Sequence, residues 1–280
     1  MSIVEKFGHV SNEEWLELLQ RSAHEPFIDG VEFPRFPHSS IQLKFNGASD
    51  AEAMAAAHAL WLYAEGYSRA YGNPLCSHSK ALDIGCGWGR VTRTFARDIA
   101  AENIHGVDID PFAIALCKFL GVPGSFTVTQ AGAPLPFNDN MFDVVTANSV
   151  FTHLPERIAA SLLTEMNRVT KAGGVVVFTL EDELFLDAIG RPGIDSYGKR
   201  WRRLLRYADK AAELKARFAD GEYIFLSTQD GSIRTAEVYG DAAIPLSWLQ
   251  HNCGRLFNFV RYDAARPPLH QAVVVGRKEQ

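Results

Sequence analysis

Leu82-Asp83-Ile84-Gly85-Cys86-Gly87-Trp88-Gly89-Arg90 is the stretch that decides the fold. Ala81 to Ile84 is a short apolar run and reads as a strand, while Arg90 to Ala100 carries a helical pattern. The glycines therefore sit at a strand-to-helix turn, where they let the backbone bend sharply and let a ligand approach it closely. Such a loop is ambiguous alone, because dinucleotide folds use one too. Those folds follow GxGxxG; here the spacing is GxGxG, and Arg90 stands where their third glycine falls. Asp83, just before the glycines, would repel a pyrophosphate and attract an ammonium group.

Beyond the loop, short apolar runs continue to alternate with helical patterns. Ile104 to Asp108 is a predicted strand, and Phe112 to Leu120 a helix opened by Pro111. Ser125 to Gln130 and Phe142 to Ala147 are strands, followed by a helix from Pro155 to about Thr170. Lys171-Ala172-Gly173-Gly174 is expected to stop that helix before a buried fifth strand, Val175 to Leu180. The alternation predicts an α/β fold with a parallel sheet covered by helices on both faces. Leu256 to Tyr262 and Ala272 to Gly276 read as two closing strands, after a short helix that Ser247 can cap.

Residues 1–73 lack this alternation and are expected to form a helical cap. A helix starts at Ser11-Asn12-Glu13-Glu14, a Pro- and Phe-rich stretch from Pro26 to Pro37 must be extended or looped, and Ser49-Asp50 caps an Ala-rich helix to about Tyr71. The main domain is expected over 74–280, with an insertion or lid over about 182–246 after the fifth strand. That insertion is charged and mostly helical, then strand-like from Tyr223 to Tyr239 around the turn signal Asp230-Gly231.

The second strand ends in Gly106-Val107-Asp108-Ile109-Asp110, and Asp108, about 20 residues beyond the loop, is placed to accept hydrogen bonds from ribose hydroxyls. A ligand with a ribose, an ammonium group and no phosphate is S-adenosylmethionine. ALDIGCGWGR followed by GVDID resembles motifs I and II of the class I S-adenosylmethionine-dependent methyltransferases. The similarity continues through PLPFNDNMFDVVTANSVFTHL and the Arg168 to Gly174 turn, and so covers roughly Lys80 to Leu180. The GCGWGR and SVFTHL wording is similar to a bacterial subgroup acting on small metabolites or saccharides.

The resemblance implies a Rossmann-like, doubly wound, mostly parallel seven-stranded sheet and S-adenosylmethionine as cofactor. It implies that Gly85, Cys86, Gly87 and Gly89 carry the backbone around the methionine part, and that Asp83 holds the amino group directly or through water. Asp108 would bind the ribose, with Ile109 against the adenine. The family commonly places an acid before the LPF turn to read the adenine amine. Here Thr129-Gln130-Ala131-Gly132-Ala133-Pro134 precedes Leu135-Pro136-Phe137 and holds no acid. Gln130 or the backbone of Ala131 and Gly132 would take that contact, while Ala147 and Asn148 should face the cofactor at the rim of the sheet.

Methyl transfer from a sulfonium is an in-line displacement, so the protein must align the reactants, exclude water and take a proton from a hydroxyl acceptor. His153, in Ser149-Val150-Phe151-Thr152-His153-Leu154, is the candidate base. The other reading is a histidine that holds the loop or caps the helix begun at Pro155. Thr152 and Glu156 are nearby polar alternatives for that role, and read rather as helix-start residues. Trp61, Tyr63, Tyr67, Tyr197 and Trp201 are aromatics that either line an acceptor pocket or pack the core and lid. The basic run from Lys199 to Arg206 reads as a solvated helix face, with attraction of an anionic substrate as the alternative.

The chain has 280 residues, 47% of them hydrophobic and 22% charged, with a net charge of -5. These values fit a globular protein and disfavour a sequence-independent nucleic-acid binder. The turn Asn148-Ser149-Val150-Phe151 also lacks the paired prolines of amino-methylating DNA enzymes. The four cysteines, Cys76, Cys86, Cys117 and Cys253, form no CxxC and no zinc pattern, so no metal and a reducing cytoplasm are expected. No signal peptide or membrane span is expected. The reading is thus an enzyme that methylates a hydroxyl or amine of a small metabolite or saccharide. The rivals are a catalytically silent cofactor-binding module, a methyltransferase acting on protein, and a nicotinamide oxidoreductase.

Overall fold

The structure, a computed structural model, describes residues 1–193, 198–228, 235 and 237–279. Tyr197 and the turn signal Asp230-Gly231 lie outside the described residues. Helices α1 (Ile3–Phe7) and α2 (Asn12–Arg21) each start with a reciprocal capping box, Ser2 with Glu5 and Ser11 with Glu14. A short hairpin follows, β1 (Phe27–Ile28) and β2 (Val31–Glu32), inside the stretch expected to be extended or looped. Next come α3 (Ser39–Asn46) and the Ala-rich α4 (Asp50–Ala70). The sequence reading missed α3; Gly47, left-handed at φ 73°, closes it by donating its N–H to Leu43 O.

The sheet begins with β3 (Ala81–Ile84), β4 (Ile104–Asp108), α5 (Pro111–Phe119), β5 (Ser125–Val128), β6 (Phe142–Ala147), α6 (Glu156–Val169) and β7 (Thr170–Leu180). After it run α7 (Glu183–Ile189), α8 (Lys199–Leu204), α9 (Ala211–Ala219), the hairpin β8 (Ile224–Leu226) and β9 (Asp241–Ala243), α10 (Leu246–Cys253), β10 (Asn258–Asp263) and β11 (Ala272–Arg277). Seven strands form the order β5-β4-β3-β6-β7-β11-β10. The first five are mutually parallel, and β11 is antiparallel to both β7 and β10. This is the expected Rossmann-like, doubly wound, mostly parallel architecture. Among the described residues no helix is long and apolar enough to cross a membrane.

Alternation along β7 shows how both faces are covered. Val175 and Val177 pack toward α2 and α4 with Trp15, Leu19, Met54 and Trp61. Val176, Phe178 and Leu180 pack on the other face with Ala159, Leu163 and Met166 of α6 and Leu249 of α10. The helices of the first 73 residues therefore share one core with the sheet.

Two local expectations fail for identifiable reasons. Arg90 to Ala100 forms only a 3-10 turn, Thr92–Arg97. There Thr92 Oγ1 donates to Asp83 and Thr94 Oγ1 to Val91 O, and buried Arg93 donates to Gly89 O, Pro34 O and Arg35 O. Side chains and tertiary contacts thus take over from a regular helical ladder. Lys171 to Gly174 does not separate helix from strand, because β7 begins at Thr170 and absorbs it as an irregularity opposite Phe142 and Val144. Gly173 supplies the left-handed residue at φ 78°, and its N–H donates to Lys278 O.

Candidate active site

Asp83 lies under the glycine loop near the carboxyl end of β3, 2% exposed. Its Oδ2 accepts from Thr92 Oγ1 at 2.6 Å, and its Oδ1 from Thr146 Oγ1 at 2.9 Å. Burial pushes its pKa up to about 6, against the two hydroxyls and the Arg90 guanidinium, which lower it. Asp108 ends the adjacent β4. Its Oδ2 accepts from Gly87 N and its Oδ1 from Asp110 N, both at 2.9 Å.

The loop between these carboxylates is tied inward. Gly85 N and Cys86 N both donate to Val107 O, at 2.8 and 3.0 Å, and Gly89 N donates to Cys86 O at 2.8 Å. With Gly87 N on Asp108, all three glycine amides of the loop are already used within the protein. A loop of this kind, flanked by two acids, suits a cation and hydroxyls and not a pyrophosphate. Gly85, at φ 67°, has Val150 where a Cβ would go, and Gly89, at φ 80°, would bring one to 2.7 Å of Val122.

A cavity of about 970 Å³ opens here, lined by Asp83, Gly85, Cys86, Gly87, Asp108, Ile109, Gln130, Ala131, Gly132, Asn148 and His153. Gly89 does not line it and faces Val122 instead. Ala147 is also absent from its wall and is buried in the core. Gln130 to Gly132 precede a turn that Arg168 clamps, donating to Leu135 O, Phe137 O and Glu165, while Glu165 accepts from Leu135 N. Cys86 is buried, and contact with Cys117 and burial push its thiol well up, so it is no thiolate nucleophile. Among the described residues no cluster of His, Cys, Asp or Glu converges as metal ligands.

His153 ends the 3-10 turn Phe151–His153 after β6. Its Nδ1 lies 2.8 Å from Gly240 O, and its ring stacks on Tyr239 with centroids 4.6 Å apart and planes 16° apart. A carbonyl oxygen only accepts, so Nδ1 carries the proton and Nε2 of the neutral ring has the lone pair. Behind it, Asp241 pairs with Arg200, which also pairs with Glu181. Burial raises the pKa of Glu181, with Arg200 opposing. The basic run is therefore not simply a solvated face: Arg200 turns inward to two acids, and Lys199 and Arg203 line the cavity.

The cavity has walls that the sequence did not reveal. Phe45 and Asn46 of α3 lean over the loop, with Trp88 Nε1 donating to Asn46 Oδ1 at 2.9 Å. The signal available was the Asn46-Gly47 helix stop. Of the aromatic candidates, Trp201 lines the cavity, Trp61 is buried under Arg97, and Tyr63 and Tyr67 flank a separate groove beside α4.

Comparison with known proteins bears on this geometry. Residues 82–178 match the family described as a methyltransferase domain. This segment is a class I S-adenosylmethionine-dependent methyltransferase domain. The methyltransferase domain is 35% identical over 133 residues to an uncharacterized methyltransferase of Mycobacterium tuberculosis, covering 46% of this chain and 50% of that protein. It is 36% identical over 99 residues to a 2-methyl-6-phytyl-1,4-hydroquinone methyltransferase of Synechocystis, covering 34% of this chain and 30% of that one. The chain thus spans at most about half the length of these curated relatives. A Clostridium acetobutylicum S-adenosylmethionine-dependent methyltransferase shares the fold at TM-score 0.54 and 11% identity, over 86% of this chain and 97% of that one. A Burkholderia thailandensis 1,6-didemethyltoxoflavin-N1-methyltransferase does so at TM-score 0.51 and 15% identity, over 97% of this chain and 92% of that one.

Proposed function

We propose that the protein transfers the methyl group of S-adenosylmethionine to a hydroxyl or amine of a small-molecule acceptor. The observation that carries this reading is the pair Asp83 and Asp108, on adjacent parallel strands, facing one cavity beside a loop whose glycine amides are already engaged. When bound, the cofactor supplies an electrophilic methyl group on a sulfonium. Each Asp83 oxygen accepts one threonine hydroxyl and has acceptor capacity left for an ammonium group. Asp108, anchored by Gly87 and Asp110 amides, would take ribose hydroxyls. Ile109 would lie on the adenine, with Gln130, Ala131 and Gly132 at its edge and Asn148 across the rim.

The acceptor would occupy the part of the cavity walled by His153, Tyr239 and Trp201. A volume of about 970 Å³ accommodates a nucleoside cofactor and a second small molecule together. Neutral His153, held through Nδ1, would take the acceptor proton on Nε2. α3 and α8 wall the cavity from outside the matched segment and would exclude water during transfer. A small-molecule acceptor is supported by the hydroquinone methyltransferase relative.

The deciding experiment incubates the protein with methyl-labelled S-adenosylmethionine and a metabolite extract and identifies labelled product by mass spectrometry. A labelled small molecule that disappears with Asp83→Ala supports the reading. Calorimetry showing NADH binding and none of S-adenosylmethionine would overturn it.

A further inference from the structure

His153, Asp241, Arg200 and Glu181 form one connected row along the cavity wall. Asp241 Oδ1 is 3.9 Å from His153 Nδ1 and 2.5 Å from Arg200 Nε, and Asp241 Oδ2 accepts from Thr228 Oγ1 at 2.6 Å. Arg200 Nη2 lies 2.7 Å from Glu181 Oε1. Asp241 is 1% exposed and Glu181 6%. Carboxylates so deeply buried are tolerated only with counter-charges, and here two share one guanidinium. The side chain next in the row that can take up a positive charge is His153.

We propose that Asp241 is the positioning residue of His153 and that Arg200 limits its effect, so that the insertion after β7 sets the basicity of the ring. The Gly240 carbonyl accepts Nδ1–H whether the ring is neutral or protonated, which fixes its orientation. The Asp241 charge favours the imidazolium that forms when Nε2 takes a proton from the acceptor; the proton later leaves to water, which restores the neutral ring. Arg200 draws on the same Oδ1 and opposes that effect. Other groups act on the ring as well. Tyr239 stacks on it, and the cationic side chains of Lys199 and Arg203 line the same cavity. Asp83 and Asp108 lie on the cofactor side of the cavity, and Glu156 of α6 is engaged by Trp248 Nε1 at 2.8 Å.

The use of this arrangement rests on His153 acting as the base, but its test does not need an acceptor. Long-range proton–nitrogen spectra of histidine-labelled protein, titrated from pH 5 to 9, report the tautomer and pKa of His153. The neutral ring is expected as the Nδ1–H tautomer. Asp241→Asn should lower its pKa by about 1, the low end of the effect of a nearby charge because Arg200 already offsets it. Arg200→Gln should raise it, since Asp241 loses its counter-charge. Opposite signs are the signature, because a purely structural anchor would not move the titration in both directions. An Nε2–H tautomer in the unaltered protein, or shifts of the same sign or none in the two variants, would overturn the proposal. Should Asp241→Asn not fold by circular dichroism, the wild-type tautomer and Arg200→Gln still decide. Calorimetry with S-adenosylhomocysteine on the same samples separates the two readings, since lost cofactor binding in the unaltered protein refutes the proposed function and leaves the titration result standing.

Discussion

Replacing Asp83 by Asn separates what this carboxylate does for the fold from what it does for the ligand. Burial lifts its pKa from the ordinary 3.8 to about 6. A rise of roughly 2 at about 1.4 kcal/mol each means that ionised Asp83 costs the folded protein about 3 kcal/mol. The sign follows from linkage. The folded state holds this proton more tightly than the unfolded chain, so the contribution is intact below pH 4 and is lost as pH rises through 6. Asn cannot ionise. Its carbonyl accepts from one threonine hydroxyl, while its amide donates to the other, which must rotate. The ligand-free variant should therefore be more stable than the wild type at pH 7.5 by about 1–3 kcal/mol, and the difference should vanish near pH 4. Asp98, also raised to about 6 by burial, is present in both proteins and cancels. Affinity for S-adenosylmethionine should fall by about 2–3 kcal/mol, on the order of 100-fold, through loss of a charged hydrogen bond to the amino group. Thermal melts from pH 4 to 8 and calorimetry at pH 7.5 measure both effects. A variant less stable than wild type at pH 7.5, or a stability gap independent of pH, would refute the assignment of a strained, ligand-facing carboxylate.

Wild-type affinity for S-adenosylmethionine should drop about tenfold per pH unit below pH 6 as Asp83 takes up its proton, while Asp83→Asn stays flat there; a calorimetric pH series tests this. Gly89→Ala, at φ 80° and 2.7 Å from Val122, should lose about 1–3 kcal/mol in urea unfolding, although residue 89 does not face the cavity. His153→Ala should reduce transfer by about 10²- to 10⁴-fold in the labelled-methyl assay and leave the cofactor dissociation constant within about twofold. Phe45→Ala, which removes a wall over Gly87, should weaken cofactor binding several-fold without moving the unfolding midpoint by more than about 1 kcal/mol, since Phe45 is only half-buried.

What could be read in the sequence is what depends on neighbours in the chain. Val175 to Leu180 shows its burial in its own composition, because a strand covered on both faces needs apolar residues at nearly every position; the exception, Thr179, is buried with its hydroxyl bonded to Ser149 N and Gln271. The glycine loop and Asp83 are likewise local, since the turn, the acid and the strand end occupy nine consecutive residues, Leu82 to Arg90. The failed helix over Arg90 to Ala100 marks where local reading ends. Its periodicity is apolar enough, but Arg93 reaches backbone oxygens 58 and 59 residues away, and no local pattern encodes that.

The cavity wall around His153 is joined by such distant pairs. His153 meets Gly240 across 87 residues and Arg200 meets Asp241 across 41, with Arg200 carried by a run that reads as a solvated helix face. This division has a physical basis. The cofactor half must present a fixed carboxylate and a fixed turn, which a strand end supplies within one short stretch. Under the proposed function the acceptor half would admit a second molecule beside His153, which takes groups from elements that can be varied independently of the sheet. One guanidinium, Arg200, joins Glu181 just after β7 to Asp241 of β9. Displacing α8 would leave two buried carboxylates, Glu181 and Asp241, without their shared cation.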